Sequence, residues 1–159
     1  MASFPAYVHS HWSHLFDDFN YSTQAFYDEI ENLIEKRKIP KITIRHVELS
    51  VNAYSMDRRD YLRIKMDEYI FDICAAPYGT GFFVSWWYGE KDPIASFLLK
   101  IPIIGRFLVP RKTYFQLDSE TMFEESIKNC FYTALETVSK TKGIQQLSKV
   151  ELQPKDVRL

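Results

Sequence analysis

Residues 60–88 read DYLRIKMDEYIFDICAAPYGTGFFVSWWY, and their alternation decides the fold. Between Asp60 and Met66, the side chains of Leu62, Ile64 and Met66 alternate with Arg63 and Lys65, the period-two pattern of a strand with one buried face. A second strand, Tyr69–Ala76, follows after only Asp67 and Glu68, so the two are expected to pair as an antiparallel hairpin. Asp-Glu is not a preferred pair for a tight primed turn, which leaves the register less defined than the pairing. Pro77–Gly81 reads as a loop and Phe82–Tyr88 as a further strand. That strand is apolar on both faces, so it is either central in the sheet or covered on its outer side.

Working outward, Lys41–Leu49 (KITIRHVEL) is β-branched and alternating, a strand ahead of the hairpin. Before it, Ser22–Lys38 carries Phe26, Ile30, Leu33 and Ile34 on one helical face, basic residues in its last turn, and Pro40 as a stop. Residues 1–21 read as an irregular N-terminal arm whose aromatics pack onto the domain. On the other side, Thr113–Leu117 reads as a short strand. A helix capped by Asp118 or Ser119 then carries an apolar stripe of Met122, Phe123, Ile127, Cys130, Phe131, Ala134, Leu135 and Val138, closed by Gly143 at C′. Residues 148–159 form a tail. Strands joined by short turns, with helices segregated to the two ends, predict an α+β fold: a mainly antiparallel four- to five-stranded sheet with both amphipathic helices on one face, in a single domain over 1–159.

Composition sets the outer bounds. The chain has 159 residues, 46% of them apolar, with 20 basic and 21 acidic side chains. A domain of this size buries roughly 68–70% of its unfolded surface. The apolar content excludes a disordered chain, and a net charge of −1 gives no basic excess of the kind that marks nucleic-acid binding. Two cysteines make no disulfide framework, and the start of the chain shows no signal peptide, so a reduced cytoplasmic setting is expected.

The stretch Ile94–Val109 (IASFLLKIPIIGRFLV) fits none of these elements. Sixteen residues containing Lys100, Pro102 and Arg106 fall short of the roughly 20 apolar residues a spanning helix needs. Three readings remain: a buried kinked helical insertion, a segment lying in a membrane interface, or a protein-docking surface. The second is suited by Trp86, Trp87 and Tyr88 ahead of the segment and by Lys91, Arg111 and Lys112 around it. Two amphipathic helices already cover one sheet face, so this apolar segment exceeds what that layer needs.

The run Phe71–Trp87 (FDICAAPYGTGFFVSWW), followed by the apolar segment and then Thr113-Tyr114 and Met122-Phe123, resembles an uncharacterised family of bacterial proteins over roughly Phe26–Leu147. Members carry a longer, more apolar stretch where this chain has Ile94–Val109. The resemblance implies bacterial origin and proximity to the inner face of the membrane, and no activity.

Candidate chemistry is sparse. His9, His11 and His14 (HSHWSH) offer imidazole ligands for zinc or nickel with no HExxH pairing or cysteine pair beside them; histidines in an aromatic arm more often make capping contacts. Cys74, near a strand end and the Gly79/Gly81 loop, is a nucleophile candidate if His46 approaches as base and Asp72 orients it. Asp72 and Cys74 share a strand face, and a cysteine there is more often core filling. Gly79-Thr80-Gly81 lacks the helix N-terminus that a phosphate cradle requires, and Arg45, Arg63 and Lys65 read as an ordinary solvated face. The expected function is therefore a non-enzymatic binding module without cofactor. Its contact surface comprises Trp86, Trp87, Phe97, Leu98, Ile101, Ile103, Ile104 and Phe107, with Arg106, Arg111 and Lys112 as polar anchors. The partner is an anionic membrane surface, another protein or a second copy of the chain. The alternative is a small hydrolase or transferase with Cys74 as nucleophile.

Overall fold

A computed structural model describes residues 4–50, 58–91, 112–141 and 151–154. Its elements are β1 (Tyr7–Phe16), α1 (Thr23–Arg37), β2 (Ile42–Ser50), β3 (Arg58–Met66), β4 (Tyr69–Tyr78), β5 (Gly81–Glu90) and α2 (Tyr114–Thr141). The strands form one antiparallel sheet in the order β1-β5-β4-β3-β2. The α+β architecture is the one the alternation predicts.

Pairing β3 with β4 places Met66 opposite Tyr69, so Asp67-Glu68 is a two-residue turn. Asp67 takes a φ of 52°, a left-handed conformation that aspartate tolerates better than most residues. The β4–β5 turn uses Gly79 at φ 61°. One sheet face, carrying Trp12, Phe16, Leu62, Ile64, Phe71, Ile73, Phe82, Val84, Trp86 and Tyr88, packs with Phe26, Ile30 and Ile34 of α1 and Phe123, Ile127 and Phe131 of α2 in a single core. Helix α1 begins and ends as its sequence dictates. Ser22 Oγ accepts from the Ala25 amide, and Lys38 closes the helix at φ 50°.

Three expectations require correction. Residues 7–16 of the N-terminal arm form strand β1, which pairs along the whole length of β5. Its His and Ser residues mask the strand signal, but β5 is apolar on both faces because β1 makes it internal. Thr113–Leu117 is not a strand. Thr113 donates its amide to Gln116 Oε1 and accepts from the Gln116 amide at Oγ1, a reciprocal cap that starts α2 at Tyr114. Ser119 lies inside the helix and donates to the Phe115 carbonyl instead of capping. Met122, assigned to the apolar stripe, is 62% exposed. The insertion 94–109, Gly143 and residues 148–150 and 155–159 of the tail lie outside the described residues.

Candidate functional site

The sheet's parity separates the proposed catalytic residues. His46 stands opposite Leu62 on the helix-covered face, with Nε2 2.9 Å from Glu31 Oε1. Cys74 and Asp72 point to the other face, as their spacing requires. Cys74 is 1% exposed, and burial pushes its thiol up to about 11. Asp72 binds Arg63 through two 2.7 Å hydrogen bonds, both residues being buried; burial raises the Asp72 carboxyl more than the guanidinium lowers it. Among the described residues His46 does not approach Cys74 as a base, and burial disfavours the thiolate that a nucleophile needs. Arg63 is removed from the solvated basic face.

The three histidines do not converge. His11 stacks on Trp87 at 4.3 Å, His14 lies against Trp12 and Phe16, and His9 sits at a β-bulge between Val8 and Ser10. Of the expected contact residues, Trp86 is fully buried and donates Nε1–H to Tyr132 Oη, so it belongs to the core and not to a contact surface. Trp87 is half-buried on the opposite face. Phe97, Leu98, Ile101, Ile103, Ile104, Arg106, Phe107 and Arg111 lie outside the described residues.

What the structure does place together is the base of the apolar segment. Strand β5 ends at Glu90, the Lys91 amide donates to the Glu68 carbonyl, and the chain returns at Lys112, whose ammonium pairs with Glu90 and, at 2.9 Å, with Glu120. Both stems of residues 92–111 are thus clamped at one end of the sheet. Burial works against the Lys112 charge, but its bonds to Glu90 and Glu120 prevail and hold its pKa well above that of an ordinary lysine. Lys112, expected as a polar anchor, is thus engaged by the domain's own carboxylates. Beside it, Lys128 holds Glu124 at 2.6 Å, Ser10 Oγ donates to Glu124, and His9 Nε2 lies 3.2 Å from Glu90. Ligand atoms of His9, Glu90 and Glu120 all fall within 4.8 Å of one another, a spacing compatible with a metal ion.

Immediately after Lys112, the first turns of α2 expose Tyr114 (88%), Phe115 (78%), Leu117 and Met122. Tyr114 precedes Phe123 by nine residues, about two and a half helical turns, and so faces away from the core. Phe115 and Met122 border a cleft of about 830 Å³, shared with Arg37 and Lys41 near the α1–β2 connection and with Met66 and Tyr69. Sequence reading missed this surface because it took 113–117 for a strand; the T-x-x-Q box at 113–116 was the available signal. No helix among the described residues is long and apolar enough to cross a membrane. Comparison with protein-family models, curated proteins and solved structures finds no match.

Proposed function

We propose that this protein is a non-enzymatic binding module that applies its apolar segment, Ile94–Val109, to an anionic membrane interface. The observation that carries this reading is the exposed apolar start of α2. Tyr114, Phe115, Leu117 and Met122 extend the greasy character of the segment onto the folded domain next to its clamped stems. Contiguous exposed apolar area of this kind marks a contact site. Sequence charge selects the partner: residues 91–111 hold four basic side chains and one acidic, against an acidic remainder. Aromatic and aliphatic side chains entering the acyl boundary, with basic residues at the phosphates, are how interfacial segments bind.

Cosedimentation with phosphatidylserine-containing vesicles at low salt tests the reading. Tryptophan emission is a poor readout, because Trp12 and Trp86 are already fully buried. The wild-type chain is expected to pellet with anionic vesicles, and Phe97→Asp to pellet to a smaller extent. Absence of wild-type binding overturns the proposal. Concentration-dependent self-association lost in Phe97→Asp, without vesicle binding, replaces it with a protein contact.

A further inference from the structure

The polar cluster at the stems of the segment is larger than a clamp requires. Glu90 closes β5, Glu120 lies in the second turn of α2, and His9 comes from β1. In an unbroken strand, side-chain parity would send His9 to the same face as His11. The bulge at Val8/Ser10 leaves it as the extra residue and re-aims it, so that its ring lies 5.6 Å from that of Tyr88 and its Nε2 faces Glu90. Bulges are frequent where a side chain must be turned toward a site.

The groups present do not satisfy one another. Lys128 and Ser10 serve Glu124, so among the described residues Glu90 and Glu120 share the single ammonium of Lys112, with the His9 imidazole 3.2 Å from Glu90. Beside them Tyr88, 1% exposed, buries a hydroxyl that has no hydrogen-bond partner among the described residues. Lys112 lies over the Tyr69 ring at 5.0 Å, and the Tyr88 ring stands between the Tyr69 and His9 rings, 6.3 and 5.6 Å from them. A buried hydroxyl without a partner is costly, and one at such a cluster calls for a further polar occupant.

We propose that His9, Glu90 and Glu120 bind a first-row divalent cation of the zinc class, which takes the place of the Lys112 ammonium between the two carboxylates. One imidazole nitrogen and two carboxylate oxygens form an N/O donor set suited to such an ion, whereas calcium and magnesium favour six or more oxygens. Two positive charges match the two carboxylates. Three protein ligands leave a fourth position for water, and that water supplies the partner that the Tyr88 hydroxyl lacks. The ligands come from three separate elements, so the ion ties β1, β5 and α2 together and stabilises the fold by mass action.

Calorimetric titration of the chelator-treated protein with ZnCl2, paired with thermal unfolding, decides the matter. Expected are one zinc per chain, a raised Tm, at least tenfold weaker binding in His9→Gln and in Glu120→Gln, and tighter binding in Lys112→Gln, where the competing ammonium is gone. A His11→Ala/His14→Ala double variant should bind as the wild type does. The zinc-free Glu120→Gln protein, altered at a helix position by a near-isosteric change, provides a folded control by circular dichroism. The proposal is overturned if neither the wild type nor Lys112→Gln binds zinc, if Glu120→Gln binds unchanged, or if binding follows His11 and His14.

Discussion

Burial decides what Cys74 can do. The thiol lies beside Tyr61 and Arg59 on the sheet face away from the helices, and desolvation raises it from 9.0 to about 11. The native protein at pH 8 is therefore expected to resist iodoacetamide, with modification at Cys74 appearing only as denaturant unfolds the chain. The same shift has a sign in stability. Below pH 9 the thiol is protonated in both states and its contribution is complete; between pH 9 and 11 the unfolded chain loses the proton first, so stability falls as pH rises. Two pKa units correspond to about 3 kcal/mol at most, and a Cys74→Ala variant should show a shallower alkaline decline in urea unfolding. The Arg63–Asp72 pair obeys a different rule. Removing one partner leaves a buried charge alone, so Asp72→Ala is expected to cost about 3–5 kcal/mol, whereas Arg63→Met/Asp72→Leu should recover most of the loss. The shared face of Asp72 and Cys74 was legible in their spacing. The partners were not, because Arg63 meets Asp72, and His46 misses Cys74, only through cross-strand register.

Elements were legible where the period was unbroken and capping was local. The bounds of α1 follow from Ser22 and from the basic turn before Pro40, and the β3–β4 hairpin follows from its alternation. Strand β1 was hidden because its interior alternates histidine and serine, residues that carry little strand preference. The need for it was nevertheless written in β5, whose two apolar faces call for a neighbour on each side. Close approach of β1 to β5 depends on glycine. A Cβ at Gly89 would lie 2.1 Å from the Tyr7 carbonyl oxygen, and one at Gly81 2.6 Å from that of Phe16. The glycine at 81 thus makes room for backbone, where the sequence suggested room for aromatic rings. Gly89→Ala must push the start of β1 away, at about 1–3 kcal/mol, the usual cost of overpacking. Hydrogen exchange should show the lost protection concentrated in residues 7–11, with β3 and β4 unaffected; uniform loss across the sheet would contradict the close-approach argument.

Charge is divided unequally over the whole molecule, and the net value of −1 conceals it. Residues 91–112 carry five basic and one acidic side chain, while the other 137 carry fifteen and twenty. Glu90 and Glu120 engage Lys112, so Lys91, Lys100, Arg106 and Arg111 are the basic residues left to face an anionic surface. The remainder of the chain is repelled by that surface, and attraction depends on the segment lying within a Debye length, about 8 Å at physiological salt. Each basic residue near an anionic bilayer contributes about 1 kcal/mol, so these four supply about 4 kcal/mol, roughly a thousandfold in affinity at low salt. Raising salt from 0.05 to 0.5 M should remove most of that gain and leave the smaller apolar part, which Phe97→Asp removes. Lys100→Glu/Arg106→Glu should abolish the salt dependence, and vesicles of phosphatidylcholine alone should retain only the salt-insensitive fraction. Binding that is equally strong to neutral vesicles and indifferent to salt would mean that apolar contact alone holds the protein there, and that the uneven charge of the chain has no part in it.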